Sequence, residues 1–190
     1  METIIQLDQH FFIWIQQHCH TSFMDVMMPW MRNKYSWFPL YFFIIAILML
    51  KYKWAGARII FVAIMCVVIS DTLSSHVMKP SFQRLRPCEE PSVAAQFIPS
   101  IECGHRGFSF TSSHAANHFS LAMAIALFFY RRNKWWLLPS IAWAGAISVA
   151  QVYVGVHYPL DIVGGALIGI SVAFGAHWII KHYFSRYFNL

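Results

Sequence analysis

Charged residues are scarce in this sequence. Asp, Glu, Lys and Arg make up only 12% of the 190 residues, whereas hydrophobic residues make up 58%. An average soluble domain carries about 25% charged residues, so this chain has too little polar surface to cover a water-soluble core of its size. The deficit excludes an ordinary soluble domain and favours a protein whose solvent is the lipid bilayer.

Other features that the sequence lacks narrow the class further. The net charge of +6 comes from short basic clusters between apolar runs, which argues against nucleic-acid binding and for orientation in a membrane. The start of the chain, METIIQLDQH, has neither a basic stretch nor a small-residue cleavage site, so we expect no cleavable signal peptide. Because His10, His18, His20, His177 and His182 are scattered without ligand spacing, we predict no metal and no cofactor.

Long apolar runs, by contrast, are abundant. Five of them predict membrane-spanning helices, at residues 36–50, 57–78, 112–130, 135–154 and 159–180. The first run is shorter than the ~20 residues that span a ~30 Å hydrocarbon core. We therefore expect this helix to extend beyond both ends of its run.

The residues before these runs have a different pattern. Apolar side chains recur at helical spacing from Ile4 to Trp14, but the longest apolar run there is Phe11–Ile15, which predicts an amphipathic interfacial helix. Residues 23–30 predict a second one. The predicted fold class is therefore all-α: a single domain, residues 1–190, with interfacial helices within 1–34 and a polytopic bundle of about five to six membrane helices.

The distribution of basic residues predicts the orientation of the bundle. One set of helix ends carries Lys51, Lys53, Arg58, Arg131, Arg132, Lys134, Lys181 and Arg186, whereas the other set carries Arg32, Lys34, Lys79, Arg84, Arg86 and Arg106. The first set lies in short flanking loops, where the positive-inside rule applies best, and is predicted to be cytoplasmic. The long loop of residues 79–111 then faces outward, toward the periplasm of a bacterial inner membrane.

Three polar clusters lie at predicted helix ends on this outer side. They are Lys79 to Arg86-Pro87, Thr111 to His114, and Gln151 through His157 to Asp161. Each cluster has a structural alternative, as interfacial cations, a helix N-cap, or a carboxylate favoured by a helix dipole. Three such clusters at one membrane depth instead predict a site for an anion.

The residue types in these clusters suit phosphate chemistry. Lys79 and Arg86 supply positive charge, and an arginine can bind phosphate through two parallel hydrogen bonds. The predicted helix start at Ser112 and Ser113 offers unpaired N–H groups together with two hydroxyl donors. One histidine can then attack phosphorus while another protonates the departing oxygen.

Sequence spacing predicts which histidine has which role. Asp161 follows His157 by four residues, and Pro159 suits the first turn of a helix, so the carboxylate can accept a proton from one ring nitrogen of His157. The other ring nitrogen is then free to act as a nucleophile. His114 has no carboxylate at such spacing and is the predicted general acid.

These residues resemble the signature of the type 2 phosphatidic acid phosphatase superfamily. That signature has three parts: Lys, six residues and Arg-Pro; Pro-Ser-Gly-His; and Ser-Arg, five residues, His, three residues and Asp. Residues 79–87 match the first part in full, and His157 and Asp161 match the third part at the right spacing. The resemblance covers residues 79–161 and implies a membrane phosphatase that needs no metal.

The resemblance also implies roles for individual residues. The residue at His157 would form a phosphohistidine and the residue at Asp161 would orient it, while the residue at His114 would protonate the leaving group. Further members of the signature, at Lys79, Arg86 and Ser112, correspond to phosphate ligands.

The sequence departs from the signature in two places. Thr111-Ser112-Ser113 replaces Pro-Ser-Gly, a mild change because Ser113 keeps its N–H group. Ala150-Gln151 replaces Ser-Arg, so a charged hydrogen bond worth roughly 1.5–3 kcal/mol is missing. We predict that Gln151 donates an uncharged hydrogen bond to phosphate and that Arg106, in the outer loop, compensates for the missing charge.

Two pairs of residues predict further structural features. Cys88 and Cys103 share the outer loop and are expected to form a disulfide if that loop faces an oxidising compartment. Gly165 and Gly169 form a pair of small residues one turn apart, which is typical of close helix packing in membranes.

The predicted function is therefore hydrolysis of a membrane lipid phosphate or diphosphate. Candidate substrates are undecaprenyl diphosphate, phosphatidylglycerol phosphate, phosphatidic acid and lipid A phosphates, and the short loops favour a polyprenyl diphosphate or a phospholipid. The alternative is a non-catalytic lipid-phosphate binder of the same fold, for which Gln151 is the sole evidence, since both histidines are present.

Overall fold

A computed structural model describes residues 2–97, 99–101, 107–130 and 133–184 of the chain. Helices account for nearly all of the regular structure in these ranges, and none of the described residues lies in a strand. The predicted all-α fold class is confirmed.

Two helices precede the bundle. Helix α1 spans Glu2–His18 and helix α2 spans Ser22–Arg32, close to the two predicted interfacial segments. The hydroxyl of Thr21 caps α2 by accepting a hydrogen bond from the N–H of Met24, at 3.3 Å. Helix α1 has one face packed on the rest of the protein and apolar side chains exposed on the other. The location of α1 and α2 at the membrane interface stays a prediction.

The next helix is long and sharply broken. Helix α3 spans Phe38–Thr72, and its backbone leaves the helical region at Lys53, where φ is 49° and ψ is −123°. Beyond the break the chain folds back on itself. The backbone at Gly56 lies so close to Leu48 that a Cβ atom on Gly56 would overlap the carbonyl oxygen of Leu48. The helix therefore has two arms, residues 38–52 and 54–72, which correspond to the first two predicted spans.

The second arm runs further than its apolar pattern predicts. It continues through a π-helical segment, Leu73–Met78, into the short helix α4, Lys79–Phe82, and ends where Gln83 adopts a left-handed conformation. The structure thus extends the helix four residues into the predicted loop. The loop itself contains one short helix, α5, at Pro91–Ala94.

Helix α6, Ser113–Phe129, lies at the centre of the bundle and packs against α3, α7 (Leu137–Tyr153) and α8 (Pro159–Tyr183). Its contact with α8 is close, because Cβ atoms on Gly165 and Gly169 would overlap the carbonyl oxygens of Ser112 and Ala116. The predicted packing role of the glycine pair is confirmed. This contact brings the start of α8 next to the start of α6.

Three helical segments in the described ranges are long and apolar enough to cross a membrane: Lys34–Phe82, Lys134–Tyr153 and Pro159–Tyr183. The first of them contains both arms of α3. Helix α6 has 17 residues and is enclosed by the others. Together the two arms, α6, α7 and α8 occupy the five segments predicted to span the membrane.

Candidate active site

The start of α8 holds a buried histidine and carboxylate in contact. Nδ1 of His157 lies 3.3 Å from Oδ2 of Asp161, and the two residues are 3% and 0% exposed. The hydroxyl of Ser109 donates a hydrogen bond to the same carboxylate oxygen and lies 3.3 Å from Nδ1 of His157. The predicted contact across one helical turn is therefore present, and Nε2 is the ring nitrogen left for chemistry.

The surroundings of His157 favour its neutral, nucleophilic form. Burial lowers the pKa of His157, against the opposing effect of Asp161, and the nearby cations Arg86 and Lys79 lower it further. Because Asp161 accepts hydrogen bonds from the N–H of Tyr158 at 2.8 Å and from Arg84, its carboxylate is held in place on several sides.

Arg84 links this carboxylate to the N-terminal helix α1. Its two terminal nitrogens donate to Oδ1 of Asp161 at 2.9 Å and to Oδ2 of Asp8 at 2.7 Å. Asp8 also accepts a hydrogen bond from the N–H of Leu160, and the Arg84 guanidinium stacks on the ring of Tyr158 at 3.8 Å. Arg84 thus connects helix α1 to the carboxylate of Asp161.

The two predicted phosphate-binding cations lie close to the histidine and the carboxylate. Lys79 and Arg86 are both partly buried and both interact electrostatically with His157 and Asp161. Nε of Arg86 donates to the carbonyl of Gly107 at 3.1 Å, which orients the guanidinium across the loop. The first and third sequence clusters therefore converge, as predicted.

The N-terminus of α6 brings in the second cluster. Ser112 caps the helix, since its hydroxyl accepts from the N–H of Ala115, and its own N–H donates to the carbonyl of Asp161 at 3.0 Å. The hydroxyl of Ser113 lies 3.0 and 2.9 Å from those of Ser74 and Ser75. Both hydroxyls thus have structural partners, while the helix start still offers backbone N–H groups. Phosphate binding by Ser112 and Ser113 stays a prediction.

His114 occupies the first turn of α6 and interacts electrostatically with His157 and Lys79. Within the described ranges no hydrogen bond involves its ring, which agrees with the absence of a carboxylate at turn spacing. Its backbone carbonyl is 2.8 Å from Nδ1 of His118, whose Nε2 lies 3.2 Å from the hydroxyl of Tyr41. The ring of His114 thus has no hydrogen-bond partner in the described part of the chain and stacks on the ring of His118. Its role as general acid stays a prediction.

Gln151 is fully buried at the end of α7, and its side-chain oxygen accepts a hydrogen bond from Nε of Arg32 at 3.3 Å. The side-chain nitrogen of Gln151 has no hydrogen-bond partner among the described residues. Arg106, the residue predicted to compensate for Gln151, lies outside the described residues. The structure instead brings a different arginine, from α2, to this position.

The loop between α4 and α6 carries a disulfide. Cys88 is disulfide-bonded, while Cys19 and Cys66 are free. Cys103, the predicted partner, lies outside the described residues. A covalent constraint on Cys88, two residues after Arg86, is consistent with the predicted crosslink of this loop.

An apolar cavity of about 450 Å³ opens between the two arms of α3, α6 and α7. Its lining includes Tyr41 and Trp143, both of which contact His118, one helical turn beyond His114. The apolar cavity and the polar site are thus neighbours, separated by a layer of aromatic side chains.

Sequence reasoning missed four residues of this site: Asp8, Arg32, Arg84 and Ser109. Arg84 lies between the two matched cations, and Ser109 is a serine between two phenylalanines, so each carried a weak local signal. Asp8 and Arg32 carried none, because they reach the site from helices more than 100 residues away in sequence from Gln151 and Leu160.

Among the described residues, no group of three or more His, Cys, Asp or Glu side chains is arranged to hold a metal ion. The basic and hydroxyl groups of the site are instead suited to an anion. The independence from metals that the resemblance implies stays a prediction.

Comparisons with known proteins identify the family of the chain. The profile of the PAP2 superfamily matches residues 55–185. A lipid A 4'-phosphatase of Bacteroides thetaiotaomicron is 35% identical over 153 residues, which cover 79% of this chain and 67% of that protein. A lipid A 4'-phosphatase of Porphyromonas gingivalis is 28% identical over 190 residues, covering 96% and 75% of the two chains.

A solved structure has the same fold. The crystal structure of a transmembrane PAP2-type phosphatidylglycerolphosphate phosphatase from Bacillus subtilis superposes with a TM-score of 0.73, at 19% identity, over 96% of this chain and 89% of that one. The family match covers the loop, α6 and the start of α8, where the site lies. The chain therefore belongs to the PAP2 superfamily and is a lipid phosphatase of the membrane.

Proposed function

We propose that this lipid phosphatase removes a phosphate group from a lipid A-type glycolipid through a phosphohistidine at His157. The observation that carries the mechanism is the fixed Nδ1 of His157. Because Nδ1 faces Asp161 and Ser109, the lone pair of Nε2 is the one available to a phosphorus atom.

In the first half-reaction, Nε2 of His157 attacks phosphorus and the bond from phosphorus to the leaving oxygen breaks. His114 gives its proton to that oxygen, so the dephosphorylated lipid leaves as an alcohol. Lys79, Arg86 and the N–H groups at the start of α6 stabilise the charge that develops on the phosphoryl oxygens. Asp161 stabilises the positive charge on the phosphorylated imidazole.

In the second half-reaction, a water molecule attacks the phosphohistidine. Neutral His114 takes a proton from that water, and the bond between phosphorus and Nε2 breaks. Inorganic phosphate is released, His157 returns to its starting form, and His114 is again protonated. One water is consumed for each phosphate released, and no other reactant is required.

The names of the two relatives support the substrate assignment, because both are lipid A 4'-phosphatases. They favour a lipid A-type glycolipid over the polyprenyl diphosphate or phospholipid that the short loops favoured. The apolar cavity beside the aromatic layer supports a lipid with hydrocarbon chains close to its phosphate.

We also propose that the active site faces the periplasm from a bacterial inner membrane. Basic residues in short loops gather at the opposite end of the bundle, which is the cytoplasmic pattern. The disulfide at Cys88 supports an oxidising compartment on the side of the catalytic loop.

A substrate panel tests the assignment. The purified protein would be assayed for phosphate release from lipid A, undecaprenyl diphosphate, phosphatidylglycerol phosphate and phosphatidic acid, with His157→Ala as the blank. We expect the highest kcat/KM on lipid A. A kcat/KM at least tenfold higher on one of the other three lipids, a difference of about 1.4 kcal/mol, contradicts the substrate assignment. It does not contradict the proposed hydrolysis through His157.

The phosphohistidine is tested separately by trapping. After brief incubation with labelled substrate and an alkaline quench, the label should remain on the wild-type protein and be absent from His157→Ala. His114→Ala should retain more activity on an aryl phosphate, whose leaving group needs no proton, than on the lipid. Equal losses on both substrates would remove the acid role from His114.

A further inference from the structure

Gln151 occupies the position at which the family signature has an arginine, and Arg32 reaches this position from α2. The guanidinium nitrogen Nε of Arg32 lies 3.3 Å from Oε1 of Gln151. A glutamine side chain is shorter than an arginine side chain. The guanidinium of Arg32, which meets the tip of Gln151, therefore lies about where the guanidinium of an arginine at position 151 would lie.

The charge environment of Arg32 is unusual for a residue with a purely structural role. Burial lowers the pKa of Arg32, and repulsion from Arg86 lowers it further, so two guanidinium groups lie close together. Arg32 also interacts electrostatically with His114. In the described part of the chain no carboxylate pairs with Arg32, and its one hydrogen bond is the bond to Gln151.

Arg32 is a partly buried cation beside a second cation, so an anion would offset the cost of its desolvation. The buried side-chain nitrogen of Gln151 is a second donor without a partner among the described residues. Burying such a donor costs free energy unless a ligand supplies the acceptor. Both observations are satisfied by one anion placed between Arg32, Gln151 and Arg86.

Contacts other than the one made by Arg32 attach α2 to the bundle. The hydroxyl of Tyr153 donates to Asp25 at 2.6 Å, and Met24 and Met28 pack against a buried cluster that contains Tyr153. Arg32 is the last residue of the helix, beyond these contacts. Helix α2 is thus anchored at its start and middle, and Arg32 extends from its end toward the site.

We propose that Arg32 is a phosphate ligand of the active site and that Gln151 positions its guanidinium while donating a hydrogen bond to the same phosphate. The pair replaces the arginine of the family signature with an arginine from another helix. This inference rests on the proposed function for the identity of the anion, and it replaces Arg106 as the compensating cation.

The test measures phosphate affinity with and without turnover. Inhibition by inorganic phosphate and by vanadate would be measured for wild type, Arg32→Ala, Arg32→Lys and Gln151→Arg, and for the double variant with both Arg32→Ala and Gln151→Arg. The rise in Tm caused by inorganic phosphate gives the same affinity without catalysis. Lys34→Ala is the matched control, because Lys34 is an exposed cation two residues away that stacks on Tyr35.

We expect Arg32→Ala to weaken phosphate and vanadate binding by about tenfold or more, the size of one charged hydrogen bond, while Lys34→Ala leaves both unchanged. Arg32→Lys should recover only part of the affinity, because an ammonium cannot bind phosphate through two parallel bonds. The double variant should recover most of it, since the new arginine at 151 restores a guanidinium without contributing to the attachment of α2.

Two results would overturn the inference. One is a phosphate affinity of Arg32→Ala equal to that of Lys34→Ala. The other is a loss of affinity that Gln151→Arg does not reverse and that comes with a lower Tm in the absence of phosphate, which would assign Arg32 to helix attachment. If instead no lipid is hydrolysed but the phosphate-induced rise in Tm depends on Arg32, the proposed function fails and the phosphate site stands.

Discussion

Ser109 contacts both members of the histidine and carboxylate pair, so its hydroxyl controls where the carboxylate points. Ser109→Ala leaves buried Asp161 with one donor fewer, and an unmet buried group costs about 1–3 kcal/mol. We expect kcat to fall by about ten- to a hundredfold with a smaller change in KM, because the orientation of His157 is lost rather than phosphate binding. Steady-state kinetics on one lipid phosphate measure this.

Ser81→Ala is the matched control for Ser109, since the Ser81 hydroxyl is exposed and donates only to the carbonyl of Val77 on its own helix. Its kinetics should equal those of the wild type. If both variants lose activity to the same degree, the effect of Ser109→Ala is not specific to the catalytic pair.

Arg84 joins two buried carboxylates, so we expect its loss to be more severe than the loss of a surface arginine. Arg84→Ala leaves Asp161 and Asp8 close together without their shared cation, and breaking a buried ion pair from one side costs about 3–5 kcal/mol. We expect a lower Tm and little activity. Adding Asp8→Asn should recover part of the Tm, because one of the two unpaired charges is then gone.

Lys181→Ala removes an exposed cation at the far end of α8 and is the control for the loss of charge. A Tm for Arg84→Ala within the error of Lys181→Ala would show that the bridge to α1 contributes nothing to stability.

At the scale of single residues, the sequence could predict contacts that follow from local spacing. His157 and Asp161 are four residues apart, so a helix start alone brings them together. Arg84, by contrast, lies 77 residues from Asp161 and 76 from Asp8. The position of Arg84 between Lys79 and Arg86 is only a weak signal, and the packing of α1 against the start of α8 is what reveals its partners.

At the scale of helices, the contact between α6 and α8 determines the separation of His157 and His114. Ala at Gly165 or Gly169 would push its methyl group into the backbone of α6. Because backbone cannot move aside as a flexible side chain can, we expect each substitution to destabilise the protein by about 1–3 kcal/mol. Activity should fall with stability, since His157 and His114 move apart.

Gly175→Ala provides the control on the same helix, because a Cβ atom there has no neighbour within 4 Å. Its Tm should be unchanged or slightly higher, as replacing a helical glycine with alanine favours the helix. Thermal unfolding of the three variants in one detergent measures the difference. Equal Tm values for all three would show that the helices can separate at no cost.

Apolar runs predicted the positions of the two arms of α3 and of α6, α7 and α8. They did not predict how the two arms are connected. The sequence around Lys53 predicts a loop, but the structure keeps the chain helical on both sides of a single residue with positive φ. That reversal depends on Gly56, which lets the backbone approach Leu48. A glycine in an apolar run can have several structural roles, and only the close approach of the two backbones identifies the role of Gly56.

At the scale of the whole molecule, the candidate active site and the short basic loops lie at opposite ends of the bundle. The break in α3 lies near the end of α6, since the rings of Tyr52 and Phe129 are 5.4 Å apart. The end of α8 is nearby too, with Phe128 and His177 6.0 Å apart. The residues of the candidate site lie at the other end, where α6 and α8 begin, so one measurement of orientation shows which side of the membrane that site faces.

Accessibility to a membrane-impermeant maleimide measures that orientation. With Cys19 replaced by serine, the described cysteines that remain are buried Cys66 and disulfide-bonded Cys88. An engineered cysteine at Ser92, which is exposed in α5, should be labelled in intact spheroplasts. One at Asn133, which is exposed before α7, should be labelled only after the cells are opened.

Inside-out vesicles should give the reverse pattern, and this control excludes a cysteine that is unreactive for local reasons. If Asn133→Cys reacts in spheroplasts and Ser92→Cys does not, the active site faces the cytoplasm. The disulfide at Cys88 would then lie in a reducing compartment, where such bonds rarely persist. Because charge distribution and disulfide chemistry are independent, their agreement on one orientation supports labelling at Ser92 from outside.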